Sequence, residues 1–188
     1  MTRFVTGRRL LALLGAVGLT ASATTVIAET LEDMAVRAPI VVRATARQSQ
    51  AAWSDDNRRI WTWTELVVTE RLKGVVPTTL LVKQPGGEVG KVGQGVAGVA
   101  SFTLGEDCVL FLEPATDEAG TWVVRGLAAG KIGMVERQGR QVAVRDLTGL
   151  AFARPGAADR VRLLQPETDL GPPEQVLARL RRAIGGAR

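Results

Sequence analysis

Between residues 40 and 146 the apolar positions fall in short runs of strand character, each bounded by Gly, Pro, Asn or Asp. Thr30-Leu31-Glu32-Asp33 opens the pattern as a helix start: the Thr30 hydroxyl can accept from early amide groups, and the acids suit the positive end of the dipole. Pro39 stops that helix after about two turns. Strands are then predicted over Ile40 to Ala46, Ile60 to Leu72 and Thr79 to Gln84, with Ser54-Asp55-Asp56-Asn57 and Lys73-Gly74 as turns. Cys108 to Leu112 is apolar on both faces, which suits a central strand. Trp122 to Gly126, Lys131 to Arg137 and Gln141 to Asp146 follow, the last two joined by Gln138-Gly139. Leu147 to Gly171 shows no period and reads as irregular. From Pro172-Pro173 onward the period becomes helical, with Val176, Leu177, Leu180 and Ile184 on one face and Gly185-Gly186 at the end.

Short strands with Gly-marked corners and no long helix between them predict a mainly β domain, a small closed or nearly closed barrel. A β-sandwich is the alternative, because strand number does not separate the two. The expected organisation is a leader over 1–28, a barrel over 29–146, an irregular connector over 147–171, and a helix over 172–186 packed on the domain.

The first residues have the three parts of a secretory signal. Arg3, Arg8 and Arg9 supply the positive start, and Leu10 to Leu19 is uncharged and apolar. Val26-Ile27-Ala28 forms a cleavage site, with Ala21-Ser22-Ala23 as a second candidate. The apolar run is shorter than the ~20 residues of a spanning helix, so cleavage and no remaining membrane anchor are expected.

Charge and composition narrow the chemistry. A leader ending at Ala28 carries three arginines and no acid, which brings the formal charge from +5 to +2. That is too little to call for nucleic acid as a partner. The chain holds no His and no Tyr, which removes imidazole bases, Ser-His-Asp triads and histidine metal sites. Its one cysteine, Cys108, lies inside an apolar run and reads as a buried, inert thiol; no internal disulfide can form. No metal and no cofactor is expected.

Several segments together resemble a family of uncharacterised bacterial secreted proteins: Ala38-Pro39-Ile40-Val41-Val42, Leu72-Lys73-Gly74, Gln84-Pro85-Gly86-Gly87, and Gly105-Glu106-Asp107-Cys108-Val109-Leu110-Phe111-Leu112. The C-terminal helix fits as well. More distantly, the Lys-Gly step and the Gly-Glu strand are similar to the netrin-like, metalloproteinase-inhibitor type of OB barrel. The resemblance implies an exported, partly open OB-like barrel of periplasmic or extracellular location. Those inhibitors chelate a protease metal through a mature N-terminal Cys; the chain has none near Glu29, so that route is not carried over.

Strand alternation puts Trp61 and Trp63 on one face with Glu65 and Val67, and Ile60, Thr62, Thr64, Leu66 and Val68 on the other. The second face is core-like, so the two indoles and Glu65 form the leading candidate binding surface, unless the C-terminal helix or a loop covers them. Gly86 and Gly87 open the Gly-rich stretch to Gly98, a tightly turning surface loop and a second candidate contact. Gly86-x-x-x-Gly90-Lys91 is one residue short of a phosphate loop, and Val92 stands where Ser or Thr would hold magnesium. Ser101 with Lys91 or Lys131, or carboxylates among Asp55, Asp56, Glu106 and Asp107, would serve a hydrolase. The expected function is a non-catalytic exported module that binds another protein, with a carboxylate or Ser-Lys hydrolase as the alternative.

Overall fold

The computed structural model describes residues 24–155, 161–164, 166 and 168–187, so the predicted leader lies outside it up to position 23. A first strand, β1 (Thr24–Ile27), precedes helix α1 (Leu31–Arg37). Thr30 caps α1 as expected, its hydroxyl accepting from Asp33 N at 3.0 Å. Strands β2 (Ile40–Trp53), β3 (Ile60–Lys73) and β4 (Thr79–Pro85) follow as an antiparallel meander. A small hairpin of β5 (Gly87–Val89) and β6 (Val92–Gln94) then leads to β7 (Asp107–Pro114) and β8 (Thr121–Val124). A short 3-10 turn gives way to β9 (Lys131–Arg137), β10 (Arg140–Val144), β11 (Leu150–Pro155), β12 (Val161–Leu164) and β13 (Asp169–Gly171). Helix α2 (Pro173–Gly186) closes the order.

Five strands, β7-β2-β3-β4-β8, make a partly closed barrel, because β8 pairs with β4 on one side and returns to β7 on the other. That closure decides for a barrel over a sandwich. β9, β10 and β13 continue the sheet from the other half of β7's edge. Period-two alternation along β7 divides the core as its sequence requires. Cys108, Leu110 and Leu112 enter the barrel beside Val42, Ala44, Leu66, Leu80 and Val82, while Val109 and Phe111 face the other way. There they meet Leu31 and Met34 of α1 and the predicted stripe of α2, Val176, Leu177, Leu180 and Ile184, all buried. Each fully buried side chain of this kind contributes about 1.5–3 kcal/mol of transfer free energy. The C-terminal helix therefore packs on the domain, with α1 as its helical neighbour. Among the described residues no helix is long and apolar enough to cross a membrane.

Two expectations change. β2 continues past Ala46 to Trp53, because β3 supplies it with partners along its whole length, from Val41 opposite Lys73 to Trp53 opposite Ile60. Exposed Arg47, Gln48, Ser49 and Gln50 hide that extension in the sequence. The predicted irregular span 147–171 instead contains β11, β12 and β13. β11 pairs in parallel with β1, Thr24 opposite Leu150 through Ile27 opposite Ala153, and antiparallel with β12, so its strand character comes from its neighbours on both sides rather than from a period of its own.

Candidate functional site

The β2–β3 hairpin projects beyond the part of β2 that pairs with β7, which ends at Thr45. On its inner face Ile60, Thr64 and Leu66 are buried, as alternation predicts. Trp61 and Trp63 stand on the outer face, half-buried. The register places Lys83 of β4 opposite Trp63 and one step diagonal from Trp61. Its ammonium lies 4.5 Å from the Trp61 ring centroid and 5.7 Å from that of Trp63, a cation held against two π faces.

The β7–β8 turn completes the cluster. Lys83 Nζ is 2.8 Å from Asp117 Oδ2 and 3.1 Å from Glu118 Oε2. Trp63 Nε1 donates to the same Glu118 carboxylate at 3.1 Å. A loop does reach the indoles, then, and it is this turn and not α2. The Lys83 side chain is only 9% exposed. Burial opposes its charge and is the largest influence, but the hydrogen bonds of Asp117 and Glu118 outweigh it and raise the pKa above the usual lysine value. Asp117 is held below the usual carboxylate range, first by its hydrogen bond from Lys83.

Beside this cluster runs an open groove of about 440 Å³. Its floor and walls are Gln48, Gln50 and Ala52 of β2, Trp63 and Glu65 of β3, Leu81 of β4, and Glu118. Leu81 is 38% exposed, and Glu65 lies 3.5 Å from exposed Arg47. An aromatic edge, an open leucine, two amides and two carboxylates can take up an extended polypeptide: apolar contact along the strand, hydrogen bonds at the rim.

The structure thus brings Trp61, Trp63 and Glu65 together and leaves Gly86 and Gly87 on the opposite side of the ribbon. Gly86 is buried with φ +98°, its N–H donating to Ile60 O at 2.8 Å. A Cβ at Gly87 would lie 2.3 Å from Thr62 Oγ1, so that glycine permits a close approach to the inner face of β3. Sequence reasoning missed Lys83, Asp117 and Glu118.

The hydrolase candidates separate. A second cavity, about 180 Å³, is lined by Ser101, Glu106, Lys131 and Asp146 among others. Lys131 Nζ donates to the backbone carbonyl of Ser101 and pairs with Glu106 at 2.6 Å, contacts with a carbonyl and a carboxylate rather than with the Ser101 hydroxyl. Lys91 sits in the exposed β5–β6 turn. Asp107 pairs with Arg43 at 2.5 Å, and Asp55 and Asp56 lie exposed at the β2–β3 turn. Cys108 is fully buried and its thiol is pushed up to about 12 by that burial, well away from the thiolate a nucleophile needs. No group of three or more metal-ligating side chains occurs among the described residues.

Fold and site together define a mainly β domain with a partly closed five-stranded barrel, two helices on one side, and a groove edged by Trp63 on the projecting ribbon. No protein-family model matches the chain, and no characterised protein matches it significantly.

Proposed function

We propose that this protein is an exported, non-catalytic module that binds an extended segment of another envelope or secreted protein in the groove beside Trp61 and Trp63. One observation carries this reading. Two indoles on an outer sheet face are fixed by Lys83, Asp117 and Glu118, and next to them lies an open groove that none of the described residues fills. Rigid aromatics that need no reorganisation lose little freedom on binding, and such residues dominate interface energies. The arginines, apolar run and Ala-rich end of the first residues, read as a secretory signal, support an envelope or extracellular partner.

Changing both Trp61 and Trp63 to Ala tests the proposal. Protein recovered with tagged wild type from the exported fraction of the native host should be lost with the double variant, each truncated anchor weakening binding by about 2–4 kcal/mol. Circular dichroism should show the fold retained. Undiminished recovery by a folded double variant would remove this surface.

A further inference from the structure

We propose that the leader is removed between Ala23 and Thr24, so that the mature chain starts at Thr24 and not at Glu29. The inference rests on the export reading above and specifies where processing occurs.

Residues 24–28 belong to the folded domain. β1 lies parallel to β11 over four residue pairs, and its ends are fastened by Thr24 N to Gly149 O and Ala28 N to Ala153 O, both 2.9 Å. The Thr24 hydroxyl donates to Ala97 O at 2.9 Å. Val26 and Ala28 pack against the core that contains Phe152. A cut after Ala28 would discard this strand and strip β11 of one of its two neighbours.

Charge points the same way. Cleavage adds water across a peptide bond, leaving a carboxylate on the leader and an ammonium on the mature chain. At Glu29 that ammonium would join Arg37 and Arg125, which already lie 3.0 Å and 3.2 Å from the Glu29 carboxylate, and add a third positive charge to the cluster. At Thr24 it would face the Gly149 carbonyl, an acceptor already occupied by the same nitrogen. The sequence around the earlier position also fits a signal peptidase better. Ala21 and Ala23 supply the small-x-small pair, four residues past the apolar run ending at Leu19, whereas the later site carries β-branched Val26 and lies nine residues past it.

The test is N-terminal sequencing and intact mass of full-length protein expressed in a bacterium and recovered from its periplasm or medium. The expected first residues are Thr24-Thr25-Val26-Ile27-Ala28. A chain beginning at Glu29 would overturn the assignment and leave export standing; Met1 retained on cytosolic protein would overturn both. In a pulse-chase, Ala23→Gln should slow conversion of precursor at least tenfold, and conversion at the wild-type rate would count against the site.

Discussion

Two lysines of this molecule, one buried and one half-buried, have nearly the same local chemistry and opposite surroundings. Lys131 lies 5.0 Å from the Phe102 ring and pairs with Glu106; Lys83 lies 4.5 Å from the Trp61 ring and pairs with Asp117 and Glu118. The Lys131–Glu106 pair is closed in, the two side chains 13% and 18% exposed. Gly133 helps enclose it, since a Cβ there would come within 3.0 Å of Glu106 Oε1. By bonding the Ser101 carbonyl as well, Lys131 pins the 99–106 segment to β9. The carboxylates around Lys83 are 55% and 37% exposed, and an open groove starts at one of them. One cluster is a staple; the other shapes a surface. Solvent access, more than residue type, separates the roles.

The comparison is broken most strongly at the staple. Lys131→Met leaves Glu106 enclosed without its partner, and a loss of about 2–3 kcal/mol is expected in urea unfolding, less than for a fully dry pair because Glu106 keeps some water. A loss below about 0.5 kcal/mol would show that the 99–106 segment holds its place by other means. Lys83→Met should cost less, about 1 kcal/mol, since water can solvate Asp117 and Glu118 once the cation is gone. Its clearer signature should be optical: a shift in tryptophan emission and, under the proposed function, weaker capture of a partner, with a smaller shift of the unfolding midpoint than for Lys131→Met.

The smallest effect is in pH. The folded pKa of Lys83 is raised, so its contribution is complete below the unfolded value near ~10.4 and fades as pH climbs through the folded one. The folded pKa of Asp117 is lowered, so its contribution is complete above ~3.9 and fades as acid passes through the folded value. The stability difference between wild type and Lys83→Met should therefore be flat from about pH 4 to pH 10 and shrink on both sides. A slope across neutral pH would mean that another group governs the cluster.

What the sequence revealed follows from how local each signal is. β7 announces itself by five consecutive apolar residues, Cys108 to Leu112, and α2 by a stripe that is buried as read. The two faces of β3 were legible because Thr, Trp and Val alternate without a break until its bulges. β1 and β11 were not, since each is an unremarkable four-to-six-residue stretch, and the two pair with each other across more than a hundred positions, β12 being the other neighbour of β11. The site divides along the same line. Trp61, Trp63 and Glu65 sit on one strand and could be grouped by period alone. Lys83 and Glu118 join them only through the register of β3 on β4 and the path of the β7–β8 turn.

The several partners of β7 have a consequence for how the chain reaches its native state. The β2–β3–β4 meander can zip up from nearby residues, but the ring cannot close until β7 meets β2 across some sixty intervening positions and receives β8 and β9 in turn. Such long-range strand pairings are slow, of order milliseconds to seconds, because loop entropy is lost before the contacts that repay it are made. A polypeptide whose barrel seam depends on pairings this distant keeps the edges of its meander open until β7 arrives.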